Sequence, residues 1–298
     1  MANAIALAQL YKAALDRIYI LNSLSVSLEG NTGFVLPTDD PQTVKVAMMA
    51  LQGLADYSRA NGYVGGDVTL DWQLFQLTHD RGRSFQVDAM DDREALFLPL
   101  LNLVNMFMLE HVVPEIDAIR FSTMADRSAL GAAANIADTA AAVAAWKKAR
   151  QDMDEAEVPE SGRIAFMSMD YYYKLEGDKV VRERLRPGEG SDSRFQTLDG
   201  ITVVKVPQNR FYSAITLRTG ASGQEAGGYT KGASGVNLNF QIVHRPAVSA
   251  VTKHEVPRIF GPTVNQAANA TKFDYRIYHD LFVPDNKTKG IYTHKATA

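Results

Sequence analysis

Between Ala95 and Val113 the chain is apolar nearly all round, interrupted only by Asn102, Asn105, Glu110 and His111. A helix without a polar face is either buried on several sides or sits in a membrane. Spanning a bilayer takes about 20 predominantly apolar residues. Two central asparagines, Pro99 and Glu110 argue against that, so the stretch reads as a central core helix. Pro99 is expected to kink it, because the ring clashes with the carbonyl four residues earlier and the missing amide breaks one bond. Asp91-Asp92-Arg93-Glu94 supplies a capping-box start. Pro114 fits as the first residue of a second helix, Glu115 to about Asp126.

The residues before this helix read as a long hairpin. Phe75 and Leu77 alternate with Gln76 and Thr78, and Phe85 and Val87 alternate with Ser84, Gln86 and Asp88. Period-two alternation on either side of a glycine-bearing turn is a hairpin signal. The arms are then Trp72–His79 and Arg83–Ala89, joined at Asp80-Arg81-Gly82. Arg81 and Arg83 would sit at its tip, where the chain offers little to pack on, so both are candidates for reaching a neighbouring subunit.

Size and composition are those of a globular protein with room for a sizeable core: 298 residues, 46% hydrophobic and 22% charged. A net charge of −3 does not fit a general nucleic-acid condenser. Cysteine is absent, which removes disulfides, thiolate nucleophiles and Cys-based metal sites. The start, Met1-Ala2-Asn3-Ala4-Ile5, lacks the basic region of a signal peptide, so export is not expected.

Residues 1–66 read as an arm. Ala8 to Ser23 fits an amphipathic helix, Glu29-Gly30-Asn31-Thr32-Gly33 a turn and Val44–Met48 a short strand. These pieces are too small for a core of their own. Further on, a helix from about Thr139 to Ala156 is capped by Asp138. Ile164–Ser168, Ile201–Val206 and Ala214–Leu217 read as strands, which makes a mixed subdomain of about residues 135–245. Gly220 to Gly235 reads as a loop. Phe240–His244, Ala247–Lys253 and the aromatic segment Phe273 to Tyr292 read as returning strands.

Catalytic and ligand motifs are sought and not met. The glycine-rich loop has no Gly-Lys-Ser or Gly-Lys-Thr, and neither Gly220-Ala221-Ser222 nor Gly232-Ala233-Ser234 completes a nucleophile elbow. His254-Glu255 is followed by Arg258 where a zinc protease needs a second histidine. His279-Asp280 with Asp285 could hold a hard metal, but an aromatic strand end with satisfied polar neighbours is the reading preferred. No catalytic residue, cofactor or metal is assigned. Arg182, Arg184 and Arg186 alternate around Glu183 and Leu185 and would share one side of an extended segment. They mark either a basic edge for a partner or a solvated strand face.

Certain runs resemble the major capsid proteins of tailed bacteriophages. These are Asp80-Arg81-Gly82-Arg83-Ser84-Phe85, Val87-Asp88-Ala89-Met90-Asp91, Val113-Pro114-Glu115-Ile116-Asp117 and Arg120-Phe121. The resemblance extends through Glu29-Gly30-Asn31, Asp56-Tyr57-Ser58-Arg59, Arg210-Phe211, Lys253-His254-Glu255-Val256-Pro257-Arg258 and Asn286-Lys287-Thr288-Lys289-Gly290. It implies an α+β chain of the Hong Kong 97-type capsid fold, with an N-arm over 1–66 and an E-loop hairpin over 67–90. The long spine helix and the start of a peripheral domain fall in 91–135, an axial domain in 136–245 and the peripheral domain's returning strands in 246–298. The function implied is structural. Copies would assemble as pentamers and hexamers into the icosahedral head of a double-stranded DNA phage, in the host bacterial cytoplasm, and remain in the virion. Implied partners are scaffolding, portal and decoration proteins and non-specifically held DNA, with no membrane. Because the chain begins at the arm, a separate scaffold or none is expected. The alternatives are an encapsulin-like compartment and a cytosolic hydrolase with an unrecognised site.

Overall fold

The computed structural model describes residues 23–29, 35–37, 43–59, 62–88, 90, 104–187, 196–254 and 258–297. The expected capping box at Asp91, the kink at Pro99 and nearly all of the Ala8–Ser23 helix lie outside these residues. In chain order the first elements are β1 (Val35–Pro37), β2 (Thr43–Leu51), β3 (Val68–Gln76) and β4 (His79–Asp88). Next come a π turn (Met108–Val112), α1 (Val113–Arg127), β5 (Leu130–Ala133), α2 (Thr139–Glu155) and β6 (Arg163–Ser168). There follow α3 (Met169–Glu176), α4 (Lys179–Arg184), β7 (Arg186–Pro187), β8 (Gln196–Leu198), β9 (Ile201–Val206), β10 (Ile215–Leu217) and β11 (Tyr229–Lys231). The chain closes with β12 (Leu238–His244), β13 (Ser249–His254), β14 (Arg258–Phe260), β15 (Ala270–Phe282) and β16 (Ile291–Lys295).

A seven-stranded mixed sheet, ordered β5-β16-β12-β6-β9-β8-β7, forms the larger core. Its central strand β6 is buried throughout. The pleat sends Ala165, Met167, Val203, Phe240 and Ile242 to one face, under Trp146 of α2 and Tyr171 of α3. Phe166, Val204, Val206 and Val243 go to the other, under Phe121, Met124 and Ala125 of α1. Burial on both faces explains why Ile164–Met167 of β6 reads as an unbroken apolar run. Asp138 caps α2 as expected, accepting from the Ala141 amide at 2.8 Å. β5 and β16 belong to this sheet, although 91–135 and 246–298 were expected to build the peripheral part. The sheet around 136–245 therefore recruits a strand from each side of that range.

A second sheet is built on β15, flanked by β13 and β14 on one edge and by β4 on the other. The buried face of β15, Phe273, Tyr275 and Ile277, packs on Val104, Met108, Val112 and Ile116. These residues recur at intervals of four, one face of a helix. Asn105, Met106, Leu109, Glu110 and His111 are exposed, so this part of the apolar helix is buried on one side only. Pro114 does not begin a separate helix. The helix runs through it by widening into the π turn, where the Val113 amide donates to the Met108 carbonyl. The proline ring and missing amide are accommodated at that wider turn. Among the described residues no helix is long and apolar enough to cross a membrane.

The expected hairpin is corrected. β3 pairs with β2, from Thr43↔Gln76 to Leu51↔Val68, and not with β4. β4 pairs along its whole length with β15, so Arg81 faces Ile277 and Gly82 faces Arg276 in mid-strand. Gly82 serves close approach, not a turn: a Cβ there would lie 2.8 Å from the Tyr275 carbonyl oxygen. The true hairpin is β2–β3, with its tip at 52–67. It is joined to β4 by Leu77-Thr78, where Leu77 packs on Phe282. Asp280 accepts from the Thr78 amide at 3.0 Å and from its hydroxyl at 2.7 Å.

His294 of β16 stacks on Phe240 at 5.0 Å, and burial holds its pKa below the ordinary histidine value of 6.5. Burial, then the charge of Arg163, does the same to His244. The folded state favours both rings neutral, so their contribution is complete above pH 6.5. It is lost as pH falls through 6.5 toward the lowered folded values. The melting temperature is expected to fall between pH 7.5 and 5.5, and His294→Gln to flatten that slope. A wild-type slope in the variant would show that His294 does not contribute.

Candidate assembly surfaces

Three charged groups of the helix α1, Glu115, Asp117 and Arg120, tie other parts of the chain to it. Glu115 pairs with Arg81 of β4 at 2.6 Å. Asp117, with no exposed surface, accepts from the hydroxyls of Ser23 at 2.9 Å and Ser25 at 2.7 Å. It also accepts from the amides of Leu24 and Ser25, each at 3.2 Å, and from Arg210 at 3.3 Å. Arg120, equally buried, donates to Glu29 at 2.5 Å, to Thr252 of β13 at 2.7 Å and to the Ser25 hydroxyl at 3.0 Å. The segment 23–29 is thus strapped across the helix by buried charges that are each multiply bonded, the condition under which burial is tolerated. The missed signal was charge at a one-turn spacing on a helix too apolar to be a surface helix.

Arg81 and Arg83, expected at a hairpin tip, instead organise the glycine-rich loop of their own subunit. Arg81 donates to the carbonyls of Arg218 at 2.9 Å and Gly228 at 3.4 Å, one at each end of the loop. Arg83 donates to the Glu225 carbonyl at 2.7 Å. The loop closes a short hairpin, β10–β11, in which Leu217 faces Tyr229. Arg182 and Arg184 do not share a side of an extended segment. They end the short helix α4, started by Asp178, which accepts from the amides of Val180 and Val181. Arg184 lies 3.6 Å from Asp199, and Arg182 donates to the Glu176 carbonyl at 3.3 Å. Arg186 lies in β7, opposite Thr197.

Strand β3 of the β2–β3 hairpin presents an exposed apolar surface. Val68, Leu70, Trp72 and Leu74 alternate with Thr69, Asp71 and Gln73, so all four lie on one face. They are 64%, 50%, 44% and 63% exposed. A contiguous apolar stripe of this kind marks an interaction surface, not a chance exposure. At the base, Phe75 packs on Phe282 at 4.9 Å and Gln73 donates to Asp285 at 3.1 Å. The hairpin is therefore held at its base, while this stripe of β3 stays bare.

Asp280 and Asp285 hold separate parts of the hairpin base and do not converge with His279. Among the described residues no group of three or more His, Asp or Glu could hold a metal ion.

No protein-family model matches the sequence, and no curated protein matches it. Solved structures do. The head of Helicobacter pylori bacteriophage KHP40 matches with a TM-score of 0.59 at 14% identity, over 93% of this chain and 90% of that one. The mature capsid of bacteriophage PhiM1 matches with a TM-score of 0.53 at 14% identity, over 87% and 83%. A virus-like particle from Pyrococcus furiosus matches with a TM-score of 0.56 at 9% identity, over 95% and 96%. Nearly the whole chain is superposed in each case, at identities that speak to fold alone. The chain folds as the capsid proteins of tailed phages do, in the α+β architecture that its sequence resembles.

Proposed function

We propose that this chain is the major capsid protein of a tailed double-stranded DNA phage and builds the icosahedral head as pentamers and hexamers of itself. One observation carries the reading: a fold shared end to end with shell proteins leaves a fixed hairpin whose apolar face has no cover among the described residues of its own subunit. In a closed shell each such face is covered by a symmetry-related copy. Interfaces of the obligate class exceed about 2,000 Å². A net charge of −3 suits a liner that does not grip DNA. The role is structural, the location the virion and the setting of assembly the host bacterial cytoplasm, with scaffolding, portal and decoration proteins as further partners. An encapsulin-like compartment is the less favoured alternative, told apart by its contents and by the absence of a tail.

Sedimentation velocity and negative-stain microscopy on the purified chain, alone and with its neighbouring genes' products, test the proposal. Closed particles or rings of five and six are expected. A monodisperse monomer under every condition would overturn it. Burying a large apolar side chain is worth about 1.5–3 kcal/mol, and a charge in its place adds a desolvation cost. Leu70→Asp with Trp72→Asp is therefore expected to abolish particles while circular dichroism stays native. Intact particles from that variant would remove the stripe from the interface.

A further inference from the structure

An open cleft of about 590 Å³ lies between the π turn, β4 and the glycine-rich loop. Pockets for small ligands run from about 300 to 1,000 Å³ and combine a mostly apolar lining with a few polar groups that fix orientation. The floor of this cleft is aromatic: Phe107 sits edge-on to Phe85 at 4.9 Å and to Tyr275 at 5.7 Å. Aromatic rings favour edge-to-face or offset partners, so a floor of three rings selects for another ring.

The wall is cationic. Arg81, Arg83 and Arg218 line it against Glu110 and Glu115. Glu115 is committed to Arg81 at 2.6 Å. Arg83 and Arg218 have no ion pair among the described residues. Arg83 is nonetheless held in place. Its Nη2 donates to the Glu225 carbonyl at 2.7 Å. Gly220 and Gly227 close around its Nη1: a Cβ added to them would lie 3.7 and 3.1 Å from that atom. Both glycines hold a left-handed φ, +79° and +66°, which lets the loop wrap the guanidinium where a side chain would crowd it. The Glu225 carboxylate does not neutralise it, because it turns back into the loop and accepts from the Gly223 amide at 2.8 Å. A positioned guanidinium beside an aromatic floor suits an anion attached to a ring.

We infer that the cleft binds a small aromatic anion, a planar ring carrying one carboxylate or phosphate group. The ring lies on Phe85, Phe107 and Tyr275, and the anionic group meets Arg83 and Arg218. The site is complete within one subunit and does not depend on shell assembly. A straight-chain carboxylate would satisfy the arginines but leave the rings without their partner. An aromatic amine would satisfy the rings but bring a third positive charge to two unmatched ones.

Calorimetric titration and saturation-transfer NMR on the soluble full-length chain test this with four probes: 2-naphthoate, 2-naphthyl phosphate, octanoate and 2-naphthylmethylamine. One saturable site per chain is expected for the first two, the tighter of them naming the anion, and none for the last two. Met106 lines the cleft and is more than half exposed, so Met106→Glu places a repelling charge there without disturbing the core. Arg218→Met removes one of the receiving charges. Each is expected to weaken binding at least about tenfold, which corresponds to about 1.4 kcal/mol, with circular dichroism unchanged. No saturable binding of either aromatic anion to the wild-type chain at millimolar concentration would overturn the site. Equal binding of octanoate or of the amine would overturn its assignment to an aromatic anion, and so would binding that both substitutions leave unchanged.

Discussion

Asp117→Ala is expected to destabilise the unassembled subunit by about 3–5 kcal/mol, the usual cost of breaking a buried charged network from one side. The carboxylate is fully buried and accepts from two serine hydroxyls, two amides and Arg210. Alanine leaves every one of those donors facing a small apolar void. Arg120→Met tests the neighbouring charge, and the two substitutions should not add. Asp117 and Arg120 share the Ser25 hydroxyl, at 2.7 and 3.0 Å, and groups with a common partner couple. The double variant should therefore lose less than the sum. Denaturant unfolding gives the energies. Limited proteolysis supplies a local readout, since a strap released from α1 should be cut near Ser23–Glu29 before the rest of the chain unfolds. A loss for Asp117→Ala under about 1 kcal/mol, the net worth of a single hydrogen bond, would mean the strap is held elsewhere.

Periodicity made the interior of this fold legible. Ile201–Val206 is a strand with the bounds the sequence indicates, and α2 starts at its Asp138 cap. Both depend on local chemistry: β-branched residues in one case, a side-chain acceptor for free amides in the other. Strand pairing was not legible. The alternation of β3 and β4 is read correctly, since Phe75, Leu77, Phe85 and Val87 all point inward to some degree. But alternation fixes a strand's face and says nothing of its neighbour. Asp80-Arg81-Gly82 carries turn-forming residue types, yet the chain changes sheets at Leu77-Thr78, which has none. A distant carboxylate, Asp280, supplies the hydrogen bonds that a turn residue would otherwise provide.

With the pairing corrected, Arg81 and Arg83 lie not at a projecting tip but along a strand paired within their own subunit. With the hairpin set one strand earlier, the outward-reaching residues become Leu54, Tyr63, Leu70 and Trp72. The two arginines become the frame of a loop. Their charge was the only feature the sequence displayed. Their partners, the carbonyls of Arg218, Glu225 and Gly228, are backbone atoms far along the chain with no signature in residue type. The run 182–186 is not one extended segment for a local reason. Asp178 caps a helix that ends at Arg184, so Arg182 and Arg184 lie on different sides of it and Arg186 follows in β7.

Phe240→Ala is expected to cost about 3–5 kcal/mol, the range for emptying a fully buried aromatic site. Phe240 has no exposed surface and sits among rings, stacked on Tyr171 at 4.6 Å and Tyr292 at 5.9 Å and edge-on to Trp146 at 6.0 Å. Three separate elements meet on it, α2 through Trp146, α3 through Tyr171 and β16 through Tyr292. None can fill the cavity without leaving its own strand or helix register, so the loss should fall toward the upper part of the range. Phe240→Leu keeps most of the volume and should lose less, which separates packing from any effect on strand pairing. Thermal or denaturant unfolding of the unassembled subunit measures both. In assembly the lesion should act through the population of folded subunits and not through the hairpin. Phe240→Ala subunits that remain folded at low temperature should still form particles, whereas Leu70→Asp with Trp72→Asp should not at any temperature. If Phe240→Ala instead leaves stability unchanged and blocks assembly, the seven-stranded core is not what holds the subunit together, and the division between core and contact surface drawn from this fold is wrong.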